Sequence, residues 1–171
     1  YFYWGCSNTT PIWGVELDPA TMEPIGEKRP LISGCEEALG YERPGDNGIV
    51  DREANVLYKS LHQFYNEATG KLELPPQMAQ VPGLNAEVLT AMYNAIGKPY
   101  IEGAFMTKHD GTYYLQYACP GTQYNTYADG VYTAKSPLGP FTLQTSNPFS
   151  AVPGGFMTGA GHGSTIADKY G

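Results

Sequence analysis

Residues 99–118 read "PYIEGAFMTKHDGTYYLQYA". Apolar and aromatic residues dominate on both sides of Asp110-Gly111, and an Asp-Gly pair between two such runs is typical of a tight hairpin turn. The stretch therefore predicts two antiparallel strands. Glu102 is the single carboxylate before the turn. Such a glutamate must face solvent, find a partner or hold a shifted pKa, and the last of these suits a catalytic group.

Strand-like sequence continues on both sides of this hairpin. Downstream, "GVYTAKS" (130–136) and "FTLQTS" (141–146) flank the turn "PLGP". Upstream, residues 1–33 contain three further strand candidates, which together predict an antiparallel meander. Four-stranded units that repeat along a chain favour an all-β fold, namely two to three blades of a β-propeller, although a β-sandwich shares much of this pattern.

Residues 34–99 differ in composition from the segments on either side. They have more charge, fewer aromatic residues and apolar residues at helical spacing. In "LNAEVLTAMYNAIGKP" (84–99), Asn85 is the predicted N-cap and Gly97 the predicted stop. The predicted apolar stripe of this helix consists of Val88, Leu89, Met92 and Ile96. We therefore expect one incomplete domain over 1–171, divided into a blade remnant (1–33), a partly helical insertion (34–99), a blade with Glu102 (100–150) and the start of another blade (151–171).

Composition excludes several kinds of partner. The chain has 171 residues, a formal net charge of −7 and ten scattered basic residues, so it has no positive surface for a nucleic acid. No apolar run approaches the roughly 20 residues of a membrane helix, and no signal peptide is visible. The 14 tyrosines suit a neutral, hydroxyl-rich ligand such as a sugar, and equally suit ordinary strands.

The cysteines predict no metal or disulfide framework. Cys6, Cys35 and Cys119 are widely spaced, without a CxxC pair or a Cys/His cluster at zinc spacing. We expect them to be mostly buried thiols, with a single disulfide as the alternative. Because the chain opens inside a strand-like run without a Met, we also expect it to be an excerpt from a longer protein.

One family resemblance covers most of the chain. The segment "YIEGAFMTKHDGTYYLQYACPGTQYNTYADGVYTAKSPLGPF" (100–141) resembles glycoside hydrolase family 43, in which a Glu-Gly pair opens a strand and a Ser-Pro-Leu-Gly-Pro-Phe-like turn closes the blade. "GHGSTIADKYG" (161–171) resembles the family's next blade, and "GYERPGDNG" (40–48) a segment of some members. The chain departs from many members at Ala104-Phe105, where they have Pro-His.

The resemblance implies a five-bladed propeller that hydrolyses arabinose-, xylose- or galactose-containing glycans with inversion. It makes Glu102 the general acid, and it implies that the general base and a pKa-modulating aspartate lie upstream of Tyr1. The chemistry would need no cofactor. His162 matches a family histidine near a structural cation, often calcium, so the resemblance implies a metal near His162. An oligo- or polysaccharide substrate would favour a secreted or periplasmic location.

The remaining candidates come from residue type and position. Polar and aromatic residues at strand ends and in the loop after the hairpin are predicted to contact sugar: Trp13, Gln116, Asn125 and Tyr127. Asp18 stands in an Asp-Pro pair and Asp129 in an Asp-Gly pair, so both are interpreted as turn residues. Two alternatives remain: a carbohydrate-binding propeller without catalysis, and a related propeller with retaining chemistry.

Overall fold

A computed structural model describes residues 1–35, 39–48 and 52–169 of the chain. It divides into two compact units. One consists of Tyr1–Ile49 with Pro99–Gly171, and the other is Val50–Lys98.

The first sheet of the larger unit is an antiparallel meander. Its strands are β1 (Phe2–Trp4), β2 (Ile12–Leu17) and β3 (Pro24–Ile32), in that order. Tyr3 pairs with Gly14 and Trp4 with Trp13, while Ile12 pairs with Ile32. The predicted three-stranded meander is therefore confirmed.

The smaller unit contains the helices. Its elements are α1 (Val56–His62), β4 (Tyr65–Asn66), β5 (Lys71–Leu72), α2 (Pro76–Ala79) and α3 (Ala86–Ala95). Asn85 caps α3 as predicted, because its side chain accepts hydrogen bonds from the amides of Glu87 (2.8 Å) and Val88 (3.1 Å). None of the helices among the described residues is long and apolar enough to cross a membrane.

The predicted apolar stripe of α3 is partly wrong. Val88 and Met92 are 55% and 48% exposed, whereas Tyr93 is buried with Leu61 and Leu72, and Leu89 packs against that cluster. Tyr93 stacks on Tyr58, with ring centroids 5.1 Å apart. The helix therefore turns its Leu89 and Tyr93 face inward, because the aromatic rings of this unit offer a larger apolar surface than the aliphatic stripe.

The second sheet of the larger unit is built on the hairpin at residues 99–118. Its strands are β6 (Glu102–His109), β7 (Thr112–Cys119), β8 (Ala128–Ala134), β9 (Thr142–Leu143) and β10 (Ser150–Ala151). The order is β10-β8-β7-β6, and β9 also pairs with β8. His109 pairs with Thr112, and Asp110 and Gly111 both have positive φ (46° and 73°), which confirms the predicted Asp-Gly turn.

The two sheets of the larger unit share one hydrophobic core. Its buried residues come from β2 and β3 on one side and from β7 and the residue before β6 on the other, namely Ile12, Ile32, Ile101, Leu115, Tyr117 and Cys119. Two open antiparallel sheets that pack in this way fit two neighbouring blades of a β-propeller. The predicted all-β fold class with a partly helical insertion is confirmed.

Residues 39–48 belong to the larger unit and pack with its sheets. Glu42 is fully buried in the larger unit, where it accepts hydrogen bonds from the Tyr117 hydroxyl and the Cys35 amide, both at 2.5 Å. The Tyr41 hydroxyl lies 2.8 Å from that of Tyr117. The compact helical unit is consequently narrower than the predicted insertion over 34–99.

The expectation of mostly buried cysteines is wrong for two of the three. Cys6 and Cys35 are exposed, Cys119 is buried, and all three are free thiols. Burial raises the pKa of the Cys119 thiol far above its usual range. The spacing of cysteines along a chain carries no information about burial, which depends on how the two sheets meet.

Candidate active site

Glu102 lies at the first position of β6, where the strand is held from both sides. Ser7 and Ile101 exchange two backbone hydrogen bonds (3.1 and 3.2 Å), which fixes the strand immediately before Glu102. Immediately after Glu102 the pairing register shifts, so that Glu102 opposes Ala118 while Phe105 opposes Gln116. This is a β-bulge, a feature that re-aims a side chain.

Gly103 makes the bulge possible. Its φ of +63° lies in the left-handed region, which a residue with a Cβ atom rarely adopts. A Cβ atom at this position would also come within 3.1 Å of the His162 ring. The Glu-Gly pair therefore aims the carboxylate and makes room for the histidine at the same time.

The half-buried Glu102 carboxylate has different neighbours at its two oxygens. The Tyr127 hydroxyl donates a hydrogen bond to Oε1 at 2.7 Å. Cys6 Sγ lies 3.9 Å from Oε2, and the Cys6 thiol also contacts the Tyr100 hydroxyl. One oxygen is thus held by a hydroxyl donor, and the other accepts a long, weak hydrogen bond from a thiol.

Tyr127 stands just before β8 and is buried. Burial, reinforced by the hydrogen bond to Glu102, raises the pKa of the Tyr127 hydroxyl well above its usual range. The hydroxyl consequently remains protonated and acts as a donor at neutral pH. Its oxygen also lies 3.2 Å from His162 Nδ1, so Tyr127 connects Glu102 to the histidine.

The Gly161-His162-Gly163 segment crosses the face of the sheet that carries Glu102. A Cβ atom at Gly161 would come within 2.7 Å of the Tyr127 ring, and one at Gly163 within 2.6 Å of Asp129 Oδ2. The two glycines therefore allow the segment to lie directly on Tyr127 and Asp129. His162 itself has a φ of 63°, which is uncommon for a residue with a side chain.

Asp129 is not a turn residue, and that interpretation is wrong. It lies within β8, where it pairs with Ala118 of β7, and it is only 3% exposed. Its Oδ1 accepts a hydrogen bond from the His162 amide at 2.7 Å, and its Oδ2 accepts one from the Gly163 amide at 2.8 Å. An Asp-Gly pair can form a turn or lie within the strand that follows one. Here β8 begins at Ala128, so the pair lies within the strand.

Burial raises the pKa of the Asp129 carboxyl above its usual range, while the two backbone amides act in the opposite direction. Asp129 is only 3% exposed and each of its oxygens accepts a hydrogen bond from a backbone amide, so this carboxylate is poorly placed to activate a water molecule. Asp18, in contrast, behaves as predicted, since its Oδ1 accepts hydrogen bonds from the amides of Ala20 and Thr21 in a turn.

The other predicted sugar contacts are spread over the larger unit. Gln116 shares the Glu102 face of the sheet and exchanges hydrogen bonds with the Thr165 hydroxyl at 2.7 and 3.1 Å. It lines a groove of about 270 Å³ together with Thr107, His109, Tyr114, Val131, Phe149 and Thr165. Gln116 is therefore placed to meet a ligand on this face, and its sugar contact stays a prediction.

Asn125 and Trp13 have other partners in the structure. Asn125 Nδ2 donates to Asn47 Oδ1 (3.0 Å) and to the Pro153 carbonyl (2.8 Å), while its Oδ1 accepts from the Asn47 amide (2.8 Å). The Lys28 ammonium lies 4.5 Å from the Trp13 ring centroid, which is a cation–π distance. Their sugar contacts also stay predictions.

His162 is the predicted metal neighbour. Within residues 1–35, 39–48 and 52–169, no three His, Cys, Asp or Glu side chains converge as a metal site. These side chains by themselves therefore do not fit a metal site, and a cation near His162 would depend on other ligands. The metal near His162 stays a prediction.

Sequence reasoning missed Asp129 and Cys6 as neighbours of the site. The only signal for Asp129 was its place in a strand-like run, and an Asp-Gly pair there is more often a turn. Nothing in the sequence around Cys6 indicates that it lies beside Glu102, 96 residues away.

Comparison with known proteins gives the same picture for the fold. The model of the family Glycosyl hydrolases family 43 matches residues 61–171. A thermostable family-43 glycoside hydrolase of known structure is 19% identical, with a TM-score of 0.50 over 90% of this chain and 32% of that one. A xylan β-1,4-xylosidase from Bacillus halodurans is 18% identical, with a TM-score of 0.52 over 95% of this chain and 20% of that one.

The chain therefore spans about a third and a fifth of the length of these two solved proteins. No curated protein matches it.

Proposed function

This chain belongs to family 43 of the glycosyl hydrolases, and we propose that it supplies the general acid, Glu102, of an inverting glycosidase. The bond cleaved is an O-glycosyl bond of an arabinose-, xylose- or galactose-containing polysaccharide. The proposal rests on one observation above all: Glu102 stands at a β-bulge with one oxygen bonded to Tyr127 and the other facing Cys6.

The two oxygens of Glu102 take different parts in the proposed reaction. Oε1 accepts the Tyr127 hydrogen bond, which favours the unprotonated oxygen of a carboxylic acid at this position. The Cys6 thiol, 3.9 Å from Oε2, is a much weaker donor, so the transferable proton resides on Oε2. During cleavage Oε2 gives this proton to the departing glycosidic oxygen, so that the leaving group departs as a neutral alcohol.

An inverting enzyme also needs a base that activates the attacking water, with its carboxyl group roughly 6.5–9.5 Å from the acid. Asp129 does not meet this need, because its carboxylate is buried and each oxygen already accepts a hydrogen bond from a backbone amide. We propose that the base and the pKa-modulating aspartate lie upstream of Tyr1 in the complete protein.

The test compares Glu102→Gln with wild type in the complete protein, on a matched pair of aryl glycosides. Xylosides come first in the panel, because one solved protein with this fold is a xylan β-1,4-xylosidase. Glutamine cannot donate the proton, so we expect kcat to fall by about 10²–10⁴-fold on a substrate with a poor leaving group. A dinitrophenyl glycoside, whose leaving group needs little protonation, should lose far less.

Glu27→Gln on the exposed strand β3 is the control and should leave both rates unchanged. Equal losses on the two substrates would argue against Glu102 as the acid. A folded wild-type protein that binds oligosaccharides and hydrolyses none would instead favour the carbohydrate-binding alternative. The configuration of the first sugar released, followed by proton NMR, distinguishes inversion from retention.

A further inference from the structure

Asp129 is a buried carboxylate to which the proposed reaction assigns no chemical step. Its two oxygens bind two consecutive amides, those of His162 and Gly163, which are 33 and 34 residues further along the chain. A carboxylate can accept from two adjacent N–H groups at once, whereas an asparagine amide has only one acceptor oxygen. The geometry of this contact therefore requires an aspartate.

Asp129 and Glu102 lie in one row across the sheet. Ala118 of β7 pairs with Glu102 on one side and with Asp129 on the other. Cross-strand partners point their side chains to the same face, and two strand spacings amount to about 10 Å. The Asp129 carboxylate therefore lies on the same face of the sheet as the Glu102 carboxylate, and the two carboxylates are not in contact.

The His162 segment connects the two carboxylates. Asp129 binds the backbone of His162, whose ring packs on Gly103 and whose Nδ1 lies 3.2 Å from the Tyr127 hydroxyl. That hydroxyl in turn donates to Glu102 Oε1. Each link is a direct contact, so a shift of the segment changes the environment of both Tyr127 and Gly103.

We propose that Asp129 is a positioning residue for Glu102, acting through the Gly161–Gly163 segment and the Tyr127 hydroxyl. The inference rests on the proposed function, since the placement of Glu102 matters for catalysis only if Glu102 is the acid. Asp129 holds His162 in its left-handed backbone conformation, His162 limits the movement of Tyr127, and Tyr127 keeps Oε1 occupied.

The experiment uses Asp129→Asn in the complete protein and the substrate pair described for Glu102. The asparagine leaves one of the two amides without an acceptor and places an NH₂ group against it, so the segment must move. We expect kcat to fall about tenfold or more on the poor leaving group and to change little on the dinitrophenyl glycoside, with KM unchanged on both. A purely structural role would reduce both rates in proportion to the folded protein lost.

The matched control is Asp110→Asn, which removes the same charge from a side chain that is 91% exposed in the β6–β7 turn. It should leave both rates unchanged. Gly163→Ala is the second variant, because its Cβ atom would press on Asp129 Oδ2 from the other side while the charge remains. It should reproduce the selective loss if Asp129→Asn does not fold.

The outcomes separate the inference from the function on which it rests. Selective loss in Asp129→Asn or Gly163→Ala, matching the pattern of Glu102→Gln, supports the positioning role. Equal losses on both substrates, or no loss, overturn it while Glu102→Gln still behaves as an acid variant. A wild-type protein without turnover, or a Glu102→Gln variant without selectivity, overturns the proposed function and the positioning role with it.

Discussion

The Tyr127 hydroxyl has one proton and two polar neighbours. Because it donates to Glu102 Oε1 at 2.7 Å, its remaining interaction with His162 Nδ1 at 3.2 Å must be that of an acceptor. The arrangement consequently favours the His162 tautomer that carries its proton on Nδ1. A single hydroxyl thereby sets the hydrogen bonding of both the carboxylate and the imidazole.

Tyr127→Phe tests whether this residue positions the acid or binds the sugar. As the acid transfers its proton, negative charge develops on the carboxyl group, and the change removes the hydrogen bond to this developing charge, worth about 1.5–3 kcal/mol, so we expect kcat on a poor leaving group to fall about tenfold or more. KM should stay close to that of wild type. The measurement is steady-state kinetics of the complete protein on the same substrate pair.

Tyr124→Phe, in the same loop, serves as the control and should leave kcat and KM unchanged. If Tyr127 instead binds the sugar, as its sequence position predicts, KM would rise in Tyr127→Phe while kcat stayed unchanged. That result would remove Tyr127 from the path between Asp129 and Glu102.

At the level of elements, the site depends on one irregularity in an otherwise regular sheet. β6 and β7 pair in strict order from Phe105–Gln116 to His109–Thr112, and the order breaks only between Glu102 and Phe105. The extra residue re-aims Glu102 and leaves the space that the His162 ring fills. Bulges beside active sites commonly serve this purpose.

Gly103→Ala should disturb both roles of the bulge. An alanine in the left-handed region costs about 1–2 kcal/mol, and its Cβ atom would also push against His162. We therefore expect a lower Tm together with a selective loss of kcat on poor leaving groups. Thermal melts followed by circular dichroism and the same kinetic pair provide the measurement.

Gly26 on β3 offers a matched control, because its φ is +80° and a Cβ atom there would meet nothing within 4 Å. Gly26→Ala should lower Tm to a similar extent and leave kcat unchanged. If Gly103→Ala lowered Tm but left the ratio of kcat on the two substrates as in wild type, the bulge would matter for folding alone.

At the scale of the whole molecule, Glu42 is the most deeply buried carboxyl group among residues 1–35, 39–48 and 52–169, and it lies at the contact between residues 39–48 and β7. Burial raises the pKa of this carboxyl above its usual range, although the hydrogen bonds from Tyr117 and the Cys35 amide oppose the shift. A raised pKa means that the folded chain binds the proton more tightly than the unfolded chain. The stability that Glu42 contributes is then complete below pH 4.5, its ordinary value, and is lost as pH rises through the folded value.

Glu42→Gln should flatten this dependence. The glutamine is neutral at every pH, so the fall in Tm from about pH 4 to about pH 8 should be smaller than in wild type. Thermal melts of the complete protein across this range measure the slope. Asp129 also has a raised pKa and keeps its own contribution of the same sign in the variant.

The exposed Glu27→Gln change controls for the loss of one negative charge and should leave the wild-type slope intact. An unchanged slope in Glu42→Gln would mean that the pKa of the Glu42 carboxyl is the same in the folded and the unfolded chain. A steeper slope would mean that its folded pKa is lowered.

The sequence alone was enough to predict the local features. The Asp110-Gly111 turn, the strands that it joins and the Asn85 cap follow from residue types within a few positions of one another, because turn and cap hydrogen bonds are local. Glu102 was also identified from the sequence, on its apolar surroundings and its family resemblance. None of these features required knowledge of the distant chain.

Tertiary structure decided which side chains converge. Asp129 is a site residue because strand pairing aligns it with Ala118 and Glu102, and because the His162 segment crosses that row. Cys6 is beside Glu102 because the Ser7–Ile101 bridge holds it there. A single-residue change of register would turn each of these side chains to the opposite face. Register depends on the bulge and on the packing of both sheets, which no short window of sequence contains.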